Sequence, residues 1–201
     1  MKDEGYIKFN IKQTGKEIIP KNNFLKINRY RKKLHNLGLI GMYKKGEKKG
    51  IGFGNISMRT KDGFIITGSA TGGIEDLDPE HYSEVVYVDI GKNYLEYNGP
   101  AKPSSESMTH AAIYKQNKNV DSVIHVHSLR LWKKLLNKFP TAGKSAKYGT
   151  PEMAYEIERL FRKTDVKEKK IIVAAGHREG IFVFGKDLKE AFSLIQKVFS
   201  I

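Results

Sequence analysis

Ser122-Val123-Ile124-His125-Val126-His127-Ser128 is the segment from which the chain can be read outward. Its β-branched residues predict a strand over Ser122 to Val126. On a strand, residues two apart project from the same face, so His125 and His127 bring two imidazoles to one side of a sheet, close enough to share a metal ion. The plainer alternative is two polar residues on the open face of a strand.

Further strands are expected at Phe64-Ile65-Ile66-Thr67, Glu84 to Ile90, Tyr94 to Tyr97, Ile171 to Ala175 and Gly180 to Phe184, bounded by Gly, Asn, Asp or Pro. Near the N-terminus, Tyr6-Ile7-Lys8-Phe9-Asn10-Ile11-Lys12 alternates as a half-buried strand does. A basic helix is expected at 26–37, with Ile27, Tyr30, Leu34 and Leu37 on one face and Gly38 as its stop. Residues 105–116 form a helix after Pro103-Ser104. Thr150-Pro151-Glu152 supplies an N-cap and a first-turn proline for a helix with Met153, Ile157, Leu160 and Phe161 on one face. The capping box Asp187-Leu188-Lys189-Glu190 opens the last helix, with Leu194, Ile195 and Val198 inward. Strands and helices intermingle without strict alternation, which predicts a mixed sheet covered by helices rather than a doubly wound parallel one. No repeat or linker interrupts the pattern. One domain is expected over 1–201, with residues 1–25 as an N-terminal extension that carries the first strand.

The 201 residues hold 36 Lys+Arg against 22 Asp+Glu, a formal charge of +14, and no Cys. The missing cysteines exclude a disulfide framework, Cys-ligated zinc, iron–sulfur clusters and a thiolate nucleophile, and point to a reducing compartment, the cytoplasm. There is no N-terminal apolar h-region and no run of about 18 apolar residues, so neither secretion nor a membrane span is expected. The positive charge suits an anionic partner. Yet the basic residues are spread along the chain, and the densest run, Tyr43-Lys44-Lys45-Gly46-Glu47-Lys48-Lys49-Gly50, reads as a solvated loop. No DNA- or RNA-binding signature accompanies it, so nucleic acid is not expected as a partner.

A third histidine strengthens the pair. His177 lies 50 residues beyond His127, in Ala174-Ala175-Gly176-His177-Arg178-Glu179-Gly180, between two apolar strands. Three imidazoles and an open position are a catalytic zinc arrangement, although His177 can also be an ordinary hairpin residue. His35 and His81 read as surface residues. A second signal is Pro103-Ser104-Ser105-Glu106-Ser107-Met108-Thr109-His110. There a helix N-terminus offers unpaired N–H groups and hydroxyls to an anion, with Glu106 in the first turn. The alternative is a dipole-favoured Glu beside capping serines. His110, one turn on, is read as structural. A third signal is the pair of Gly-rich loops Gly50-Ile51-Gly52-Phe53-Gly54-Asn55-Ile56-Ser57 and Thr67-Gly68-Ser69-Ala70-Thr71-Gly72-Gly73. Their amides can cradle an anion or simply make turns. Neither is a Walker A or dinucleotide motif.

Taken in order, Gly54-Asn55-Ile56-Ser57, the Thr67 to Gly73 loop, Ser104-Ser105-Glu106, His125-Val126-His127 and Gly176-His177 resemble the class II aldolase/adducin family over about residues 27–198. Tyr148-Gly149-Thr150-Pro151-Glu152 also looks like one of the family's later segments. That family includes fuculose-phosphate aldolase, ribulose-phosphate 4-epimerase and methylthioribulose-phosphate dehydratase. The resemblance implies a three-layer α/β/α sandwich with a mixed, mainly antiparallel central sheet, assembled as a homotetramer. It implies zinc held by His125, His127 and His177, with Mn2+ or Co2+ also acceptable to such donors. Glu106 would be the catalytic acid/base, its pKa raised toward neutrality by an apolar lining. Asn55, Thr67, Ser69, Ser104 and Ser105 would line an anion pocket. The implied activity is that of a metal-dependent aldehyde-lyase, an aldolase acting on a small phosphorylated hydroxycarbonyl or sugar through a metal-stabilised enediolate. Epimerase or dehydratase chemistry, or a non-catalytic binding module like the adducin head, are the alternatives. Retention of all three histidines and Glu106 favours an enzyme.

Two features depart from the family pattern. Only 20 residues separate His127 from Tyr148, fewer than in the sugar-phosphate aldolases, so the tyrosine that they contribute near the active site is not expected from this stretch. The Thr67 to Gly72 loop replaces a Thr-Pro-Ser-Gly-like sequence.

Overall fold

The computed structural model describes residues 6–200; residues 1–5 of the expected N-terminal extension, and Ile201, lie outside the described residues. In chain order the elements are β1 (Asn10–Gly15), α1 (Lys21–Asn36), β2 (Gly41–Met42), β3 (Gly52–Phe53), β4 (Asn55–Arg59), β5 (Phe64–Thr67), β6 (Tyr82–Asp89), β7 (Tyr94–Asn98), α2 (Ser107–Gln116), β8 (Ser122–His127), α3 (Leu129–Leu135), β9 (Thr141–Ala142), α4 (Pro151–Lys163), α5 (Val166–Lys169), β10 (Ile171–Ala174), β11 (Gly180–Gly185) and α6 (Leu188–Phe199). Nine strands form one sheet in the order β1-β7-β6-β5-β4-β8-β11-β10-β9, and β2 and β3 form a separate hairpin. The sheet is antiparallel except at its edges, where β1 runs parallel to β7 and β9 to β10. This is the mixed sheet that the pattern of elements predicts, with the mainly antiparallel pairing that the family resemblance implies.

Apolar residues sort by strand parity into two cores, one on each face of the sheet. Phe64, Ile66, Val123, Ile172, Phe182 and Phe184 face α2 and α4, where they meet Met108, Ile113, Met153, Ile157 and Phe161. Ile56, Ile65, Ile124, Val126, Ile171, Val173, Ile181 and Val183 face α1, α3 and α6, where they meet Ile27, Leu34, Leu131, Leu135, Ile195 and Val198. Two helical layers thus enclose the sheet. Strands β5, β8, β10 and β11 are buried along their whole length, and β5, β10 and β11 accordingly read as apolar runs rather than half-polar alternations. No helix among the described residues is long and apolar enough to cross a membrane.

Several boundaries differ from the sequence expectation. The first strand starts at Asn10 rather than Tyr6, because its pairing is set by β7, with Asn10 opposite Tyr94. The first helix begins at Lys21, five residues before the periodic apolar stretch, after Pro20, whose fixed backbone suits a helix entry. Its buried residues are Ile27, Arg31 and Leu34, while Leu37, at the C-cap beyond the last helical turn, is exposed. Asp187 caps α6 by accepting from the Glu190 N–H at 2.7 Å, but the box is not reciprocated: the Glu190 carboxylate accepts instead from Lys186 N and Lys170 Nζ. The Gly-rich stretch before Ser57 contains β3 and the start of β4. Short strands with glycines at alternate positions carry no local signal of pairing.

Arg31 belongs to the basic helix, yet it does not face solvent. Its guanidinium donates to three main-chain carbonyls, Glu75 O at 2.6 Å and Thr71 O and Gly72 O at 3.1 Å. Burial lowers its pKa, but the fork remains matched to the carbonyls that it ties to α1. Replacing Arg31 by Leu leaves these acceptors unpaired, so the unfolding free energy should fall by on the order of 3 kcal/mol, measurable by urea titration. Arg31→Lys, with a single ammonium, should recover only part of the loss.

Candidate active site

Strand β8 places the first two histidines. It pairs antiparallel with β4 and β11, in a register that sets Asn55 and Phe182 opposite His125, and Gly180 opposite His127. Both imidazoles project from the same face as Val123, toward the α2 layer, and both are buried. His125 lies parallel to the Phe182 ring at 4.3 Å, and its Nδ1 donates to Ile181 O at 3.3 Å. A carbonyl only accepts, so His125 carries a proton on Nδ1 and turns Nε2 inward.

His177 reaches the same place from the turn between β10 and β11. Several main-chain bonds hold that turn: Ala175 N donates to Ala142 O, Ser128 N to Glu179 O and Gly180 N to His177 O. The indole of Trp132 adds a bond to Ala174 O at 2.9 Å. Two glycines are dictated by close approach. A Cβ on Gly176 would lie 2.3 Å from Ala146 O, and one on Gly180 would lie 3.1 Å from both His125 Cε1 and His177 Cγ. The turn therefore packs tightly enough to bring nitrogen atoms of His125, His127 and His177 within 4.8 Å of one another. Nε2 of His125 and Nε2 of His127 are 3.0 Å apart. Burial, together with the neighbouring cationic groups, pushes the His127 pKa far down, so that this imidazole is neutral.

Glu106 completes the cluster from the N-cap position of α2, 2% exposed. Its Oε1 lies 3.0 Å from His177 Nδ1 and 3.7 Å from His125 Nε2, and its Oε2 accepts from the Thr109 hydroxyl at 2.9 Å. The expected rise in its pKa is not found. Burial does push the carboxyl upward, but His125, His177 and Thr109 together outweigh it and hold the group at about 2. Glu106 is thus a carboxylate at rest.

These four residues form one wall of a cavity of about 220 Å³ whose lining includes Asn55, Ser69, Ser104 and Ser105. Asn55 Oδ1 is buried there with no hydrogen-bond partner among the described residues. Thr67 is not among the lining residues: its hydroxyl accepts from Ile56 N at 3.3 Å within the sheet. His110 bonds to the sheet, with Nδ1 2.7 Å from Ser57 Oγ, and burial lowers its pKa to about 3. That is the structural role read from the sequence.

Sequence reasoning missed the aromatic wall. Tyr43 and Phe53, from the β2–β3 hairpin, contact His127, and the Tyr148 ring packs at 5.0 Å from His177. The lysines around Tyr43 are largely exposed, as a solvated loop requires, and they masked the one residue of that run that turns inward. For Tyr148 the sequence offered only its place in a family-like segment, with no local sign of its direction. Three tyrosines therefore reach the site, Tyr43 and Tyr148 beside the histidines and Tyr6 on the cavity lining, although none comes from the short stretch after His127.

Comparison with known proteins agrees with this architecture. Residues 41–198 match the family described as "Class II Aldolase and Adducin N-terminal domain". L-fuculose phosphate aldolase of Haemophilus influenzae is 30% identical over 159 residues, covering 72% of this chain and 68% of that protein. L-fuculose phosphate aldolase of Methanocaldococcus jannaschii is 24% identical over 158 residues, covering 71% and 78%. Among solved structures, l-fuculose-1-phosphate aldolase from Thermus thermophilus superposes with a TM-score of 0.64 at 21% identity, over 89% of this chain and 90% of that one. With the match spanning both helical layers and the histidine-bearing strand, the chain belongs to the class II aldolase and adducin family.

Proposed function

We propose that this enzyme is a divalent-metal-dependent aldehyde-lyase that cleaves a small, phosphorylated hydroxycarbonyl compound of the sugar-phosphate class. The observation that carries the reading is the convergence of three buried imidazoles and one buried carboxylate on a single polar cavity. The donor set fits a metal: His125, with Nδ1 engaged by a main-chain carbonyl, directs Nε2 inward, and His127 is neutral, the form in which an imidazole ligates. His125, His127 and His177 would hold the ion, with Zn2+ as first choice and Mn2+ or Co2+ compatible. Once bound, it would supply Lewis acidity toward the oxygens of a hydroxycarbonyl group.

The chain's own residues account for the rest. Glu106, held as a carboxylate, accepts the proton from the hydroxyl on the carbon beyond the scissile bond. As that oxygen becomes an aldehyde carbonyl, the C–C bond breaks and its electron pair passes to the carbon next to the substrate carbonyl. Glu106 then returns its proton to that carbon, which balances the cleavage. Thr109 keeps the carboxylate oriented. Asn55 brings an amide with both donor and acceptor capacity, and Ser69, Ser104 and Ser105 bring hydroxyls for the anionic end of the substrate. The cavity volume suits a sugar-sized molecule. Retention of this whole set speaks against a binding module without catalysis. The reading also carries a homotetramer, as the family resemblance implies, in the cytoplasm, as the cysteine-free composition suggests.

Elemental analysis should find about one divalent ion per chain in metal-loaded protein, and His177→Ala should bring that below stoichiometry. Absence of stoichiometric metal in the wild type would overturn the metal reading. In a screen of sugar phosphates for aldehyde release, Glu106→Gln should retain metal but lose about 10²–10⁴-fold in kcat. Unchanged turnover would remove Glu106 from the mechanism. Light scattering at micromolar concentration should give the mass of a tetramer, and a monomer would contradict the assembly.

A further inference from the structure

The lysine-rich run 43–50 contributes one side chain to the interior. Tyr43 Oη donates to Glu179 Oε2 at 2.8 Å and lies 2.9 Å from His127 Nδ1. A phenol has one proton, and a carboxylate oxygen only accepts, so that proton is committed to Glu179. The Tyr43 oxygen therefore accepts from His127 Nδ1–H. His127 Nε2 is left as an unprotonated lone pair, the acceptor in the 3.0 Å contact with His125 Nε2.

We propose that Tyr43 and Glu179 are positioning residues that act as a unit, locking His127 in the Nδ1–H tautomer and aiming its Nε2 at the metal position. The proposal rests on the metal-site reading above. The Nδ1 proton of His125 is held by a main-chain carbonyl, within the sheet itself. That of His127, at the end of β8, opposite Gly180, is held by side chains outside the sheet.

Three further observations support the unit. The ring of His127 is fixed in orientation by Phe53, stacked at 5.3 Å and 26°, and Phe53 is itself covered by Tyr43 at 4.7 Å. Glu179 has φ +77°, a left-handed conformation that side chains other than Gly rarely adopt. Strain of this kind persists where the side chain is needed, and here it presents the carboxylate to Tyr43. Finally, Glu179 O accepts from Ser128 N, directly after His127. The same residue thus joins the turn that carries His177 to the end of the strand that carries His127.

The test uses apo protein labelled with 15N-histidine, in which long-range 15N–1H spectra report the tautomer. A second arm measures Zn2+ affinity by chelator competition. Wild type should show His127 protonated on Nδ1. Tyr43→Phe should shift His127 toward the Nε2–H form and weaken Zn2+ binding by about 10–100-fold, with the unfolding midpoint of the apo protein near that of wild type. Glu179→Gln, which frees the phenol proton to point at His127 Nδ1, should move the tautomer the same way. In the double variant the losses should fall well short of their sum. An unchanged His127 tautomer in Tyr43→Phe, wild-type Zn2+ affinity, or strictly additive losses would each overturn the proposal. The tautomer arm needs no metal. A wild-type protein that binds no Zn2+ would therefore defeat the metal reading without deciding whether Tyr43 and Glu179 set the ring.

Discussion

The pleat of β8, clamped between β4 and β11 with a core on each face, is the constraint on which the rest depends. Ile124 and Val126 must point to the α1 and α6 layer, and that obliges Val123, His125 and His127 to share the opposite face. A slip of one residue would drive both imidazoles into the apolar α1 and α6 core and turn Ile124 and Val126 toward the polar cluster, so the hydrophobic pattern of this strand also enforces the geometry of its polar residues. The neighbouring registers follow. Asn55 falls opposite His125 on one side, and Gly180 falls opposite His127 on the other.

Burying three imidazoles and a carboxylate together is costly unless they serve one another. Here each desolvated group has a neighbour of complementary character: Glu106 lies against His125 and His177, and takes a hydroxyl proton from Thr109. The effect is visible in the Glu106 pKa, where burial and nearby imidazoles act in opposite directions and the imidazoles prevail. Supports for the cluster come from regular structure on one side and from turns and a hairpin on the other. The sheet holds His125 rigidly. His127 and His177 depend on the hairpin that carries Tyr43 and Phe53, and on the tightly packed turn around Gly176 and Gly180.

Arg31 extends the same economy to the rim of the cavity. By joining α1 to the carbonyls of Thr71, Gly72 and Glu75, it stiffens the end of the Gly-rich loop that lines the site and the residues just after it. One guanidinium there replaces the regular pairing that a loop lacks.

Much of this was legible in the residues themselves. Strands buried on both faces announce themselves as apolar runs. The helices α2, α4 and α6 announce themselves through Pro103, Pro151, Asp187 and the spacing of their apolar faces, and the i, i+2 histidines need only a strand to converge. Glu106 at a helix start and His177 between two strands could be singled out for the same reason: their local setting fixes their direction. Other features depend on residues distant in sequence. Arg31 and Tyr43 sit in basic, solvent-facing runs, and only contacts 44 and 136 residues away, with Glu75 and Glu179, turn them inward. Likewise the ionisation of Glu106 reversed the expectation, because it is set by imidazoles that folding brings from β8 and the β10–β11 turn. Periodicity and capping act over a few residues and can be read along the chain. The side-chain directions and charges in this site were decided by partners that only the tertiary structure brings within reach.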